Sequence, residues 1–356
     1  MVLSLNSAHA YHPIIRDFHS VRTAGMGDIR YTVGLFEENF FANPARSADN
    51  PENLLQIMKI SLESSKATLS NLGKLTKSGN ELNTFVDSLG DPMSARLQII
   101  PISFHAKNFI TDKWAMGLGL FFSAQTLPLV SNSGSVDVNT AITAGPVLNL
   151  SRRLLEEDRL VVGANLHTQI RANSKNFSIQ EFFNGQNMAN SVQGGSGMGV
   201  DFDLGSTFRP HWKTGGFDYQ LAFTINNVLG GKYTNLGKPI NAWPNGPYAT
   251  SRSVSFGLSA ERKDWIGLDR VLFALESTDN GNNENGSFFR TLHAGAQGSW
   301  SIFHVRTGLN QGYLTAGFGL DLVVFSLNLA TYGEELGLNP GVKQDRRYAL
   351  DLGFKI

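Results

Sequence analysis

The sequence predicts an all-β membrane protein, an antiparallel transmembrane β-barrel of about fourteen strands with an N-terminal helical insertion. Three observations predict it. The composition is neutral, glycine-rich and low in charge. A period-two alternation runs beyond the length of ordinary strands. The connections between the strands alternate between short and long.

Composition narrows the class first. The 356 residues carry 30 Lys+Arg and 30 Asp+Glu, so the formal charge is zero. That balance lacks the basic excess on which nucleic-acid binding depends, and no nucleic-acid partner is expected. There is no cysteine, which excludes disulfides, thiolate metal sites and thiol nucleophiles, and suits passage through an oxidising compartment. Charged residues are 17 %, against about 25 % in an average soluble domain. Glycine is 37 of 356, against a usual ~7 %. No run approaches the ~20 apolar residues of a transmembrane helix, but a barrel conceals its hydrophobicity in alternation.

The chain divides into three parts. Residues 1–10 read as the remnant of a signal peptide, with Ala8-His9-Ala10 as an A-x-A-like cleavage site and Val2–Leu5 as the tail of an apolar region. Export and a mature start near Tyr11 are then expected. Residues 11–95 read as an N-terminal segment holding a first strand or a hatch. Within them, 51–88 show no strand period. Asn50 is a good N-cap, Pro51 fits the first helical position and Glu52 complements the helix dipole. Leu54, Leu55, Met58, Leu62, Leu69 and Leu72 then give roughly helical spacing, predicting one or two amphipathic helices. Such helices would plug the lumen, sit outside the bilayer or pack against another subunit.

Residues 96–356 read as the barrel. Trp114, Met116, Leu118, Leu120 and Phe122 share one apolar face, as do Leu160, Val162, Ala164, Leu166 and Ile170. The opposite face mixes glycine, small residues and charges. Thirteen such segments lie near 96–106, 113–124, 139–150, 159–171, 197–209, 217–228, 252–262, 270–277, 290–299, 301–309, 313–320, 322–331 and 346–356. Most run past the ~5–6 residues of a soluble strand and match the ~9–11 that cross a bilayer. Short connections and long ones (125–138, 172–196, 229–251, 278–289, 332–345) set short turns on the periplasmic side and put the C-terminus there. Parity then requires one more strand. Ile29, Tyr31, Val33 and Leu35, alternating with Arg30, Thr32 and Gly34, could supply it; otherwise 20–45 folds into the lumen.

Two stretches resemble known families. Val21–Gly27 (VRTAGMG, with Gly25, Met26 and Gly27), followed by Asn43, Pro44 and Ala45, resembles the "GMG…NPA" opening of FadL-like outer-membrane barrels, among them fatty-acid transporters and PorV-type proteins. Arg306–Tyr313, Ala316–Leu320, Ala330–Gly337 and Asp345–Tyr348 are similar to the conjugal-transfer TraF-like family of outer-membrane proteins. The resemblance implies a FadL-like barrel of about fourteen strands in the outer membrane. Asp28-Ile29-Arg30 departs from the small residues many relatives have there. The final strand, with Tyr348, Leu350, Leu352, Phe354 and Ile356 on one face, resembles the signal read by the barrel-assembly machinery, although Ile356 replaces the usual terminal aromatic.

Chemistry-bearing motifs are sparse. Gly230-Gly231-Lys232-Tyr233 is no P-loop, no H-E-x-x-H occurs, and the eight histidines are scattered. Residues 277–286 (STDNGNNENG) lack the order of a calcium loop and read as an Asn/Gly outer loop. No enzyme, cofactor or metal is expected. Nine residues project to the second face as candidate lumen-lining groups: His167, Arg171, Asp201, Arg209 and Glu261, then Glu276, His293, Arg306 and Asp351. They either line a channel and tune its selectivity or pair with one another and with a plug. Trp114, Tyr219, Trp265, Trp300, Tyr313, Tyr332 and Tyr348 suit interfacial girdles. Expected partners are membrane lipids, both phospholipid and lipopolysaccharide. Two functions fit: passage of small or hydrophobic solutes, or a structural barrel that self-associates through 51–88 and organises lipid.

Overall fold

The computed structural model describes residues 14, 16–75, 91–130, 135–173, 177–178, 195–234, 247–283 and 286–356. The predicted signal remnant at 1–10 and the end of the predicted helical insertion at 76–88 lie outside the described residues.

Fourteen long strands form the wall: β1 (Leu54–Ser65), β2 (Ala95–Lys107), β3 (Trp114–Val130), β4 (Ser135–Leu154), β5 (Leu160–Asn173), β6 (Gly195–Phe208), β7 (Phe217–Asn226), β8 (Ser253–Trp265), β9 (Leu268–Asn280), β10 (Leu292–Trp300), β11 (Phe303–Asn310), β12 (Tyr313–Asp321), β13 (Phe325–Glu335) and β14 (Gln344–Lys355). Each pairs antiparallel with its neighbours, and β14 pairs with β1, Leu352 opposite Ile60, so the sheet closes. Closure gives every strand two partners and leaves no edge of unpaired backbone in lipid. Two-residue ribbons at 177–178 and 213–214 extend it at opposite ends.

The alternation sorts the faces as the pattern predicts. In β5, Val162, Leu166 and Ile170 point outward, while Asn165, His167 and Arg171 are buried inside. In β14, Tyr348 and Phe354 face out and Arg347 and Asp351 face in. Two-residue turns at Ile266-Gly267 and Gln311-Gly312 hold both central residues at positive φ, the geometry that matches strand twist.

The predicted helical insertion is corrected over its first half. Residues 54–65 are the closing strand, and helix α2 (Lys66–Leu75) begins only after it. A bulge between Gln56 and Met58 explains the misleading spacing. Before it the odd residues Leu55 and Ile57 face lipid. After it the even residues Met58 and Leu62 do. The parity switch turns a period of two into something close to 3.6. Lys59, Ser61, Glu63 and Ser65 then form an unbroken inward row.

The segment at 29–35 is likewise not a strand. Ile29, Tyr31 and Val33 are at most 3 % exposed, and so is Thr32 between them, so neither face meets lipid. The backbone N–H groups of Arg30 and Thr32 donate to the Glu276 carboxylate at 2.8 and 2.7 Å instead of to a neighbouring strand. The fourteenth strand is therefore β1, and 20–45 occupies the lumen. The predicted loop at 125–138 is also mostly wall, since β3 and β4 stay paired as far as Val130 and Val136. At 17 and 20 residues they stand far above β10, β11 and β12 with nine, eight and nine.

Candidate functional site

The lumen is filled by the chain's own N-terminal segment, here called the plug: residue 14 and residues 16–50. It holds one turn of helix, α1 (Val21–Ala24), capped by Ser20, and two tight turns at Phe36–Phe40 and Pro44–Asp49. Its apolar contacts are small and scattered. Phe18 and Phe40 meet Ile100, Phe121 and Val147; Met26, Ile29 and Val33 meet Leu272 and Ala274.

Glycines let this irregular segment approach the wall. A Cβ on Gly25 would stand 2.7 Å from the Gly317 Cα, and one on Gly308 would stand 2.6 Å from the Gly27 nitrogen. Gly205 and Gly163 make the same room for Asn43-Pro44-Ala45. The two motifs of the opening are thus the places where plug backbone touches wall backbone. The glycines of the inward face are their counterparts.

Plug backbone that forms no ladder is satisfied by wall side chains, as buried amides require. Asn165 donates to the carbonyls of Asn39 (2.8 Å) and Phe40 (3.1 Å), and Asn149 to that of Pro44 (3.1 Å). Asn43 donates in turn to Tyr31 and to Ser206 of β6, both at 3.1 Å.

A layer of ion pairs crosses the lumen. Arg16 reaches Asp28 at 2.7 Å and Asp279 of β9 at 2.6 Å; Arg30 reaches Asp279 at 2.9 Å. His19 lies 3.1 Å from Glu63 of β1 and 3.2 Å from Asp28, against the Tyr332 ring. Glu63 also binds Arg96 and Arg347. Towards the short-turn end Arg22 pairs with Glu38 at 2.5 Å and Lys59 with Glu37 at 2.6 Å.

The sequence-derived lumenal residues take these positions. His167 donates to Asp203 at 2.6 Å, and Arg171 is paired with Asp17 of the plug. The Asp201 carboxylate accepts from the backbone of Leu229 and Gly231, organising the loop after β7. Glu276 holds Arg30 and Thr32. The His293 imidazole donates to the Gly27 carbonyl at 2.9 Å. Asp351 accepts from Asn328 at 2.9 Å beside Lys59. Arg306 donates to Gln297 and Asn328. Arg209 and Glu261 sit at the rim instead, partly exposed and paired with Asp49 and Arg270.

Sequence reasoning missed Lys59 and Glu63, hidden by the bulge in β1, and the plug's own Arg16, His19, Asp28 and Glu38. The period-two row from Lys59 to Ser65 was the available signal. Tyr332, predicted for an interfacial girdle, is 1 % exposed inside the lumen. Asp279, predicted for an outer loop, is an inward-facing wall residue because β9 continues to Asn280.

Burial opposes the charge on His19, but Asp28 and Glu63 outweigh it and raise its pKa. Burial also opposes ionisation of Asp28, yet Arg30, Arg16 and His19 hold its carboxyl well below the usual range. Against the same burial, Arg22 brings Glu38 down to about 2. The signs follow. Stabilisation from His19 is complete below its unfolded pKa of about 6.5 and is lost as pH rises through the higher folded value. Stabilisation from Asp28 and Glu38 is present above about pH 4 and is lost on acidification. Plug docking is therefore expected to weaken on the alkaline side, read as hydrogen-exchange protection of residues 21–50. His19→Gln is expected to flatten that alkaline limb; an unchanged limb would refute the assignment.

Cavities border the ion pairs among the described residues. One of about 60 Å³ lies between Phe18, Phe41, His167 and Asn226. One of about 240 Å³ lies at the short-turn end between Arg22, Phe36, Lys59 and Arg306. An apolar hollow of about 1090 Å³ lies on the lipid-facing side of β8–β10, lined by Phe256, Leu275, Phe289 and Leu292.

Fold and site define a class: a closed transmembrane β-barrel plugged by its own N-terminal segment. No protein-family model matches the chain, and no curated protein matches it. Solved structures do. A TodX deltaS2S3 mutant monoaromatic hydrocarbon channel is 10 % identical over 95 % of this chain and 97 % of that one, with a TM-score of 0.47. The Pseudomonas putida toluene transporter TodX is 11 % identical over 96 % and 99 %, with a TM-score of 0.41. A Pseudomonas aeruginosa FadL homologue is 10 % identical over 97 % and 99 %, with a TM-score of 0.40.

Proposed function

We propose that this barrel is an outer-membrane conduit for small solutes, of FadL-like type and closed at rest by its plug. The short turns and the C-terminus would face the periplasm, and the closing motifs would place it near the TraF-like relatives. One observation carries the reading: the plug is held by ion pairs and amide hydrogen bonds, with only small apolar clusters. Each such contact contributes only about 0.5–1.5 kcal/mol net, because water replaces both partners when the whole segment leaves, so a plug bound this way suits release. The cavities beside the ion pairs, lined by charged and apolar side chains together, favour small polar or amphiphilic solutes. The apolar hollow on β8–β10 favours a second reading, in which hydrophobic solutes arrive through the membrane. The self-associating scaffold is not carried forward, because the residues that would supply half of its helical surface are wall.

Planar-bilayer conductance tests the proposal. The wild type is expected to conduct weakly, and a plug-release variant such as Asp28→Ala several-fold more. A variant whose plug amides have lost hydrogen-exchange protection, but whose conductance stays at the wild-type level, would sink the conduit reading.

A further inference from the structure

The short-turn cavity contains one cation unlike its neighbours. Four cations line it beside carboxylates: Arg22 with Glu38 at 2.5 Å, Lys59 with Glu37, Lys355 with Asp321 and Arg270 with Glu261, the last three at 2.6 Å. Arg306 also lines the cavity and is 3 % exposed, yet no carboxylate lies within ion-pair distance of it among the described residues. Its guanidinium has neutral partners only. Nε donates to Gln297 Oε1 at 2.8 Å and Nη1 to Asn328 Oδ1 at 2.9 Å, while Nη2 donates to nothing among the described residues. Gly319 keeps the space open: a Cβ there would stand 2.7 and 2.8 Å from Nη1 and Nη2.

A buried charge without a counter-ion is costly, and a guanidinium with a free N–H edge is shaped for a carboxylate. The rest of the cavity sets the size and character of what could supply one. Its volume of about 240 Å³ holds about eight waters at roughly 30 Å³ each, below the ~300 Å³ where drug-sized pockets begin. Leu35, Phe36, Leu54 and Leu320 give it an apolar side. We infer that this cavity binds a compact organic monocarboxylate, its carboxylate on Arg306 and its apolar body against Phe36 and Leu320. The inference builds on the conduit reading by naming a solute class, but binding can be measured without passage.

The test is equilibrium calorimetry of the full chain in detergent, with benzoate as the probe and benzamide as its neutral isostere. Saturable benzoate binding is expected, and benzamide is expected not to compete. Arg306→Gln is expected to weaken binding at least tenfold and Arg306→Lys to keep part of it. Gln297→Glu supplies an internal counter-ion 2.8 Å from Nε and is expected to abolish benzoate binding in a folded barrel, whatever the fate of the Arg306 variants. Equal binding of benzoate and benzamide, binding unchanged in Arg306→Gln or Gln297→Glu, or no saturable binding by folded wild type would each overturn the inference. Conductance of the same preparation reports separately. A barrel that opens on plug release but binds no benzoate loses this site and keeps the conduit.

Discussion

Gly27→Val is expected to undock the plug around residues 25–28 and to cause a large loss of stability. Gly27 has φ of 73°, where a β-branched residue is strained. A Cβ there would also stand 2.1 Å from the Ala294 carbonyl oxygen and 2.9 Å from that of Leu309, both fixed wall backbone. About 1–3 kcal/mol for the strained conformation and about 1–3 for overpacking give roughly 2–6 in all. The amides of Met26 and Asp28, which now donate to the Thr23 carbonyl at 2.9 and 2.8 Å, should lose hydrogen-exchange protection. Gly267→Val is the control. It has φ of 79° with nothing near its Cβ, so it carries the conformational strain alone and leaves the plug amides protected. Equal loss of plug protection in both variants would show that the close approach at Gly27 does not hold the plug.

Asp28→Ala is expected to do comparable damage by a different route. Asp28 is fully buried, 2.7 Å from Arg16, 3.2 Å from His19 and 3.6 Å from Arg30. Removing one partner of a buried ion network leaves charge that neither water nor protein compensates, at a cost of about 3–5 kcal/mol. Removing Arg30 as well takes away one charge of each sign. The double variant should therefore lose less than the sum of the single ones, measured by urea unfolding of the refolded barrel. Strict additivity would mean that Asp28 and Arg30 act independently and that the layer is not one network. Because Asp28 joins three cations of the plug, Asp28→Ala is also the variant expected to raise conductance most.

The barrel was legible in the sequence because strand alternation is local. Trp114, Met116, Leu118, Leu120 and Phe122 need only their own spacing to define a lipid face, and the other twelve barrel segments follow the same rule. The count of fourteen came out right although its last member was misplaced. The bulge at Gln56–Met58 disguised the true strand as a helix, while Ile29–Leu35 alternates without being a strand. Local pattern cannot separate these two cases, because only strand pairing and the location of both faces distinguish them.

The candidate site was legible in part. Placing His167, Glu276 and His293 on the inward face required periodicity alone. Their partners did not follow from it. Glu276 meets the backbone of residues 30 and 32, His293 meets Gly27, and Asp279 meets Arg16 across 263 positions of chain. By itself, then, the sequence determined the wall: a barrel with one apolar face, one small and polar face, and glycines waiting for something to approach. The tertiary structure alone decided that the plug is what approaches, which charges become pairs, and that Arg306 is left facing a cavity with amides for company. The physical reason is range. Side-chain direction is set by neighbours one or two residues away, whereas charge compensation in a closed lumen depends on groups that chain closure brings together from opposite ends.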